Sequence, residues 1–468
     1  MALNSLLIDF NSYFASVEQQ IKPELRNKPV GVVPVKADTT CCIAASYEAK
    51  AFGVKTGTMV SEAKKLCPDI QLVEANHKTY IQYHDRLVEK IKEECLPVDK
   101  VLSIDEMICS LMGKEKQRER AIAIALYIKK KIREDVGEYL RCSIGIGPNL
   151  FLAKMGTNLQ KPDGLVVIDD EDLPHCLYKL RLSDLYGVGR NMEVRLRRNG
   201  IYTIEDLCNA DRLLLKRVWG GIEGERMYDK LRGKFVPGIL THRSSVGHSH
   251  VLPPKLKNNE SAYAVLHRLL QKAAMRLRHL GYYAGALGVM VRYKIVNPEE
   301  DKPLSRRSGF SHWNSGKMKW KDYITFTYTQ NTVELIKAFN IMWDRNPFME
   351  NIPTAVAVVL FNLSHKDFVT LPIFENYEKN KALYGAIDLL NRRYGNSSVY
   401  FGGSHTAKYS APMRIAFTQI PDLSIEDDEK KDGFGFKSQN SKVNPPEADQ
   451  ILYDEYNQEQ FLTDTVFD

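Results

Sequence analysis

Residues 103–106 place two carboxylates in the middle of an apolar stretch, and this feature constrains the fold more than any other. The flanking residues 98–102 and 107–110 are typical of a strand. Acidic residues are depleted in strands, and the usual reason for an adjacent pair such as Asp105 and Glu106 is a metal ion. Because successive side chains of a strand point to opposite faces, the two can share one ion only if the strand bends there or Glu106 reaches round its edge.

A second acid, Asp9, ends another apolar run. Residues 6–10 are typical of a buried strand, and a helical pattern over residues 12–20 follows at once. Two acidic positions carried by strands predict a platform for divalent cations, because carboxylate oxygens are suitable ligands for them. The alternative is that these acids are solvated strand ends or members of a salt bridge.

The chain is long enough for several domains, and its 468 residues predict three or four of them. Strands carrying Asp9, Asp105 and Ser143 alternate with two long helical patterns. This alternation predicts a split βαβ sheet with helices on one face, in which the strands of Asp9 and Asp105 can be neighbours. Residues 24–78 have the pattern of a small, separate α/β lobe, and from about residue 243 long strands alternate with long helices.

Gly187 and Gly189, followed by Arg190, lie in a pattern typical of a helix-hairpin-helix. Leucine and isoleucine residues frame the turn at the spacing that such a motif needs. Its glycines let backbone N–H groups face a phosphate at a helix N-terminus. A plain connection between two helices is the alternative.

The charge distribution predicts a polyanionic partner. Residues 421–468 contain thirteen acidic and four basic residues, so residues 1–420 carry a net charge of +16 against +7 for the whole chain. A body this basic favours nucleic acid as the first candidate. Arg306 and Arg307 stand among aromatic residues in a loop pattern suited to a sugar-phosphate backbone, although a solvated basic loop has the same composition. The acidic tail, residues 416–468, is polar enough to be mostly disordered.

Cysteine usage and hydropathy bear on the cellular location. All eight cysteines fall between residues 41 and 208 without a Cys-x-x-Cys pair, which argues against a zinc module and a disulfide framework. No basic leader precedes the first strand, and no apolar run approaches the length of a membrane span. We therefore expect a cytoplasmic protein without membrane contact.

Several motifs, taken in order, resemble those of the Y-family translesion DNA polymerases. Residues 386–395 are similar to the C-terminal part of the bacterial UmuC/DinB-like branch, and the chain is closest in appearance to its UvrX-like members. The resemblance extends in order over residues 4–415. The motifs are Asp9-Phe10-Asn11-Ser12-Tyr13-Phe14, Tyr47-Glu48-Ala49-Lys50-Ala51-Phe52-Gly53-Val54, Ser103-Ile104-Asp105-Glu106, Gly145-Ile146-Gly147-Pro148-Asn149 with Ala153-Lys154, and Lys161-Pro162-Asp163-Gly164.

The resemblance implies an α+β, multidomain fold of the right-hand polymerase type. It consists of a ferredoxin-like palm, small fingers, a helical thumb and an α/β little finger. The implied boundaries are residues 1–23 and 79–172 for the palm, 24–78 for the fingers, 173–240 for the thumb with its helix-hairpin-helix, 243–415 for the little finger, and 416–468 for the tail.

The resemblance also implies two Mg²⁺ ions in the palm. Phosphoryl transfer needs one ion to lower the pKa of the primer 3′-hydroxyl and another to neutralise the triphosphate. Asp9 and Asp105 would bridge both ions, and the Phe10 carbonyl oxygen would add a ligand. Glu106 would hold the ion at the hydroxyl. Asp9, Asp105 and Glu106 are therefore the predicted catalytic residues.

Four further positions match nucleotide-binding residues of the family. Tyr47, Lys50 and Lys161 would clamp the triphosphate of the incoming deoxynucleotide, although the family more often has arginine at the position of Lys50. Phe14 corresponds to the steric gate, an aromatic face under the sugar that excludes a 2′-hydroxyl. On spacing alone, Phe14 is equally a core residue of the first helix. The implied activity is low-fidelity synthesis across damaged templates in an SOS response.

The implied partners are primed template DNA and, for a bacterial member, the sliding clamp. DNA would contact the hairpin at Gly187, Gly189 and Arg190 and the basic loop at Arg306 and Arg307. The clamp would bind residues 370–374, where Thr370 replaces the usual Gln. Its apolar contacts would be Leu371, Pro372, Ile373 and Phe374.

Two other functions compete with a monomeric polymerase. A non-catalytic polymerase-fold scaffold that recruits repair factors is the first, and the presence of all three acids disfavours it. A palm-type nucleotide cyclase is the second. It shares the metal platform but needs neither the hairpin nor a basic last domain.

Overall fold

The computed structural model describes residues 2–237, 243–294, 317–370, 377–415 and 419–427. The chain divides into two compact units, Met1–Gly238 with Ile415–Ile420, and Ile239–Arg414 with Pro421–Asp468. Within the described ranges, no helix is both long and apolar enough to cross a membrane.

The first unit combines two sheets with helices. Its strands and helices are, in chain order, β1 (Ser5–Phe10), α1 (Tyr13–Ile21), β2 (Val30–Val33), β3 (Ala44–Ala45), α2 (Tyr47–Ala51), α3 (Val60–Leu66), β4 (Gln71–Glu74), α4 (His77–Glu94), β5 (Lys100–Ser103), β6 (Glu106–Ser110), α5 (Arg118–Lys131), β7 (Cys142–Gly147), α6 (Leu150–Leu159), β8 (Leu165–Val167), α7 (Arg190–Arg198), α8 (Ile204–Asn209), α9 (Arg212–Trp219) and α10 (Ile222–Lys230).

The larger sheet of this unit has the strand order β5-β6-β1-β7-β8. Its middle strand β1 pairs antiparallel with both β6 and β7, and β8 runs parallel to β7. Every residue of β1 is buried, as expected for its run of leucine and isoleucine. The prediction that the strands of the two acidic sites are neighbours is confirmed.

The acidic run itself forms a hairpin, so of the two possibilities for a shared ion the bend is the one found. β5 ends at Ser103 and β6 begins at Glu106, so Ile104 and Asp105 form the turn. The bend that a shared ion requires is therefore a two-residue turn. The buried ring of His84 on α4 holds it in place, because its Nδ1 donates to the Ile104 carbonyl oxygen at 2.8 Å.

Helix α6 packs directly on β7. A Cβ atom at Gly145 would lie 2.0 Å from the Ala153 carbonyl oxygen, so only glycine permits this approach. The side chain of Asn149 caps the helix by accepting the Leu152 N–H at 2.9 Å. The close packing and the cap together fix where the side chains of α6 project relative to β1.

The smaller sheet of the first unit has the order β3-β2-β4 and its own apolar core, which contains Val33, Cys42, Ala49 and Val54. Helices α7–α10 form a further, wholly helical part. The residues that frame the predicted hairpin are buried in its core, namely Leu182, Leu185, Leu196, Ile201 and Leu207.

The second unit is a four-stranded antiparallel sheet with helices. Its sheet order is β11-β10-β12-β9. Leu287, Val289 and Val291 of β10 are buried in a core with α11 and α12, which therefore cover one face of the sheet. The elements are β9 (Ser245–Val251), α11 (Asn259–His279), β10 (Tyr282–Lys294), β11 (Lys317–Thr329), α12 (Thr332–Asp344), β12 (Ile352–His365), α13 (Tyr377–Tyr394) and α14 (Leu423–Glu426).

Candidate active site

Three carboxylates meet at one end of the larger sheet in the first unit, and we call Asp9, Asp105 and Glu106 the carboxylate cluster. Asp9 on β1 is paired directly with Glu106 on β6, so the two side chains share a face. Asp105 lies in the adjoining turn, and its carbonyl oxygen accepts the Phe10 N–H at 2.8 Å. All of these residues line one cavity of about 210 Å³.

Three lysines line the same cavity, and we call Lys50, Lys154 and Lys161 the lysine cluster. The Lys154 Nζ lies 2.7 Å from Asp9 Oδ2 and 2.6 Å from Glu106 Oε1. The Lys161 Nζ lies 2.8 Å from Asp9 Oδ1. Both carboxylate oxygens of Asp9, whose side chain is only 5% exposed, thus contact an ammonium group.

Burial and charge oppose each other at Lys154. Burial lowers the pKa of its ammonium group, but the charges of Asp9 and Glu106 raise that pKa by more, so the net shift is upward. The lysine therefore remains charged between two carboxylates. Loss of its charge would leave two acids close together in a poorly hydrated place.

Asp105 is destabilised as an anion by its surroundings. Burial, followed by the charge of Glu106, raises its pKa from 3.8 to about 6. A hydrogen bond from the Ser103 hydroxyl to Asp105 Oδ1, 2.7 Å long, opposes this shift. An ionised carboxylate in such a position is stabilised when a further cation binds beside it.

No group of three or more His, Cys, Asp or Glu side chains is arranged to hold a metal ion in the described ranges as they stand. The chemistry of the cluster nevertheless fits a divalent cation. Its donors are hard carboxylate oxygens, and the Lys154 ammonium already occupies a cation position between two of them.

The α2 side of the cavity carries Tyr47 and Lys50. The Lys50 Nζ donates to the Ser12 hydroxyl at 2.7 Å and lies 4.4 Å from the centre of the Tyr47 ring. Burial and then the charge of Lys161 lower the pKa of Lys50. Burial, assisted by the charge of Asp9, raises the pKa of Tyr47 to about 12. The structure therefore brings all three predicted triphosphate contacts into the cavity of the carboxylate cluster.

The Phe14 side chain lines the cavity, and a second aromatic ring packs against it. Its ring stacks on Tyr80 with a centroid distance of 4.5 Å and an interplanar angle of 15°. The Tyr80 hydroxyl donates to Glu18 Oε1 at 2.7 Å, and the Tyr13 hydroxyl donates to the Tyr80 carbonyl oxygen at 2.7 Å. Phe14 is thus both a buried residue of α1 and a wall of the cavity, so the two interpretations of its spacing are compatible.

Sequence reasoning assigned no role to Lys154, Tyr80 or His84. A signal for Lys154 exists, since a lysine inside the apolar run of α6 is unusual unless it is paired. Tyr80 and His84 lie one turn apart on the buried side of α4, where an aromatic or histidine is ordinarily a core residue. Only the fold reveals which side chains they support.

The structure describes some of the residues predicted to contact DNA, but not all of them. Gly187 has φ +84°, in the left-handed region that favours glycine, and Gly189 is the N-cap of α7, which begins with Arg190. A Cβ atom on either glycine would meet no heavy atom within 4 Å among the described residues, so the turn is open on this side. Arg306, Arg307 and residues 371–374 lie outside the described residues.

Comparison with known proteins identifies the family of this chain. The impB/mucB/samB family model matches residues 8–158, and the model of the family's C-terminal domain matches residues 243–371. DNA polymerase IV of Moorella thermoacetica is 32% identical over 402 residues, which cover 84% of this chain and 94% of the relative. DNA polymerase IV of Pelotomaculum thermopropionicum is 37% identical over 400 residues, covering 84% and 93%.

The fold matches solved structures of the same class. A Y-family DNA polymerase chimera of Dbh and Dpo4 has a TM-score of 0.61 at 21% identity, covering 78% of this chain and all of that chain. An insertion ternary complex of Dbh DNA polymerase has a TM-score of 0.51 at 21% identity, covering 77% and 98%. These likenesses confirm the predicted α+β, multidomain polymerase fold.

The fold and the site thus define a polymerase of the Y-family class. The chain belongs to the Y-family of translesion DNA polymerases. It is a DNA-directed DNA polymerase, and the non-catalytic scaffold is not favoured. Membership of the family implies dependence on a divalent metal ion. The placement of this chain among the UvrX-like members stays a prediction.

Proposed function

We propose that the chain extends primed template DNA with deoxynucleoside triphosphates by transfer at two Mg²⁺ ions held by the carboxylate cluster and the Phe10 carbonyl oxygen. The observation that carries this proposal is the convergence of the carboxylate and lysine clusters on one cavity. Acidic side chains suit the ions, and basic ones suit a triphosphate.

When bound, the ions would lower the pKa of the primer 3′-hydroxyl and neutralise the charge on the phosphates. Asp9, Asp105 and Glu106 would hold these ions. Lys154 supports this assignment, because its ammonium group keeps Asp9 and Glu106 together before a metal arrives.

Tyr47, Lys50 and Lys161 would hold the triphosphate. The closeness of Lys50 to the Tyr47 ring and the contact of Lys161 with Asp9 support a role beside the metal site. A lysine at position 50 provides a compact charge and lacks the bidentate geometry of arginine. We therefore expect a looser hold on the phosphates than in members with arginine there.

Phe14 would exclude ribonucleotides by lying under the sugar. Its stack on Tyr80 supports this role, because the ring has a firm backing and cannot withdraw to admit a 2′-hydroxyl. Ala44 and Ala45 also line the cavity, with small side chains. A loose enclosure of the nascent base pair would give the low fidelity expected of translesion synthesis.

DNA would be held by both units. In the first unit, the hairpin at Gly187 and Gly189 would present N–H groups of the first turn of α7 to a phosphate. In the second unit, Arg292 lies on the sheet face opposite the helices, paired with Lys319 of β11, and Met290 is paired with Lys321. We call Arg292, Lys319 and Lys321 the basic sheet face, and we propose that it contacts the DNA backbone, as Arg306 and Arg307 would.

The domain boundaries given above remain part of this proposal. Residues 1–23 and 79–172 would be the palm, and residues 24–78 the fingers. Residues 173–240 would be the thumb and 243–415 the little finger. We also propose a cytoplasmic monomer, active in an SOS response, that binds a sliding clamp through residues 370–374.

Primer extension tests the proposal. The natural chain should extend a primed template with Mg²⁺ and four deoxynucleotides, whereas Asp105→Ala/Glu106→Ala should lose extension while still binding the DNA. The matched control is Asp69→Ala/Glu119→Ala, which removes two exposed acids of the same unit and should extend normally. Extension that persists in the first double variant would contradict the assignment.

A further inference from the structure

The beginning of the acidic tail is fixed on the second unit. Asp422 Oδ2 lies 3.3 Å from His279 Nε2, and Glu426 Oε1 lies 3.5 Å from Arg276 Nε. Ile425, which lies between the two acids in the chain, is only 4% exposed. α14 packs against α13, so the described chain ends beside that helix.

Helix α13 has an apolar surface that faces solvent. Its inner side contributes Tyr384, which is 4% exposed. On another side, Leu383, Leu390 and Tyr394 are 53%, 41% and 56% exposed, and their spacing of seven and four residues places them in one stripe along the helix. We call these three residues the α13 stripe.

Basic side chains border the α13 stripe. Lys379 is exposed one turn before Leu383 on the same side of the helix, and the Arg393 guanidinium lies 5.5 Å from the centre of the Tyr394 ring. An apolar surface with a basic margin is complementary to a segment that combines apolar and acidic residues.

The end of the chain has this composition. Residues 447–468 contain seven acidic residues and no Lys or Arg. The same 22 residues contain large apolar and aromatic side chains, namely Ile451, Leu452, Tyr453, Tyr456, Phe461, Leu462, Val466 and Phe467.

The connection is long enough for the two to meet. Between Asp427, the last described residue, and residue 447 lie the 19 residues 428–446. They can extend to about 60 Å, whereas the 18 residues of α13 extend over about 27 Å. Because α14 already holds the beginning of the tail beside α13, binding within one molecule is favoured by a high effective concentration.

We propose that the α13 stripe is a docking surface for residues 447–468 of the same chain. The acidic residues would face Lys379 and Arg393, and the aromatic residues would cover Leu383, Leu390 and Tyr394. The docked segment would place a polyanion on the second unit, and its attachment would weaken as salt rises. This inference does not depend on nucleotidyl transfer.

Photochemical cross-linking in the full-length chain tests the proposal. The photoreactive amino acid p-benzoylphenylalanine replaces Phe461, and mass spectrometry maps the cross-links formed at low salt. We expect cross-links within one chain to residues 379–394. Leu383→Asp/Leu390→Asp should reduce their yield at least tenfold, and both sites are exposed enough for the variant to fold.

The matched control is Leu126→Asp/Leu213→Asp, which changes two exposed leucines on helices of the first unit and should leave the yield unchanged. Cross-links between chains would mean that a second copy covers the stripe and would overturn the proposal. Cross-links elsewhere, or none to α13, would overturn it as well. Equal cross-link yields in Leu383→Asp/Leu390→Asp and in the control variant would also overturn the proposal.

Discussion

The two units place their charges in opposite ways. In the first unit, the side chains of Asp9 and Lys154 are 5% and 10% exposed and contact each other directly. In the second unit, the basic sheet face lies opposite α11 and α12, and Arg292 is exposed there while Lys319 and Lys321 are half-buried. Buried charges of opposite sign fix each other in position, which suits chemistry at defined atoms. Partly exposed charges on the outer face of a sheet suit contact with a nucleic-acid backbone irrespective of its sequence.

This difference predicts which kind of disturbance each unit tolerates. Removal of one partner from the buried set leaves an uncompensated charge, so the effect on folding is large and local. Removal of a charge from an open surface changes the attraction for a polyanion and depends on salt. The following changes test these expectations in order of decreasing effect.

Lys154→Met should have the largest effect, because it leaves Asp9 and Glu106 together without their shared cation. In EDTA, we expect the free energy of unfolding of the first unit to fall by about 3–5 kcal/mol. Mg²⁺ should restore part of this loss, because an ion that binds only the folded state stabilises it. Urea denaturation with and without Mg²⁺ measures both effects.

The control is Lys64→Met, which breaks a 2.7 Å ion pair with Asp38 between side chains that are 51% and 62% exposed. A surface pair of this kind contributes about 1 kcal/mol or less. Equal losses in the two variants, or a Lys154→Met variant that does not respond to Mg²⁺, would argue against a cation site at the carboxylate cluster.

Phe14→Ala should weaken the selection of deoxynucleotides over ribonucleotides. Removal of the ring would open space for a 2′-hydroxyl, so we expect the preference for deoxynucleotides over ribonucleotides to fall by about 10²-fold. Tyr80→Leu should produce a smaller loss, because Phe14 remains but its stacking partner is gone. Single-nucleotide insertion with matched deoxy- and ribonucleotides measures the ratio. An unchanged ratio in Phe14→Ala would remove the steric-gate assignment.

Lys319→Ala/Lys321→Ala should have the smallest effect, and it should depend on salt. If each lysine neutralises one phosphate, the slope of log K against log salt should fall by about 1.8. Lys255→Ala/Lys257→Ala removes two exposed lysines from a turn of the same unit and should leave the slope unchanged. Fluorescence anisotropy with labelled primed DNA at several salt concentrations gives the slopes. Identical slopes for the two variants would exclude the basic sheet face from DNA binding.

Much of the first unit could be predicted from the sequence because its motifs are local. The pairing of the two acidic strands follows from the alternation of strands and helices, and it is confirmed. The turn at Ile104 and Asp105 was not predicted, since an apolar run with no glycine or proline lacks the usual signal of a hairpin.

The supporting residues could not be predicted because their partners are distant in sequence. Lys154 contacts Asp9 across 145 residues, and Tyr80 contacts Glu18 across 62. No periodicity relates such pairs, and only the packing of α6 on β1 and of α4 on α1 brings them together. In the second unit, pairing of β10 with β11 likewise joins Arg292 to Lys319, and strand patterns alone do not give that register.

The central claim is that the carboxylate cluster binds two divalent ions in the polymerising complex. Counting bound Mn²⁺ by electron paramagnetic resonance tests it most directly, with the natural chain, a primer ending in a dideoxynucleotide, its template and the next deoxynucleotide. We expect two tightly bound ions per chain, and fewer in Asp105→Ala/Glu106→Ala but not in Asp69→Ala/Glu119→Ala. An unchanged count in the first variant would contradict the claim.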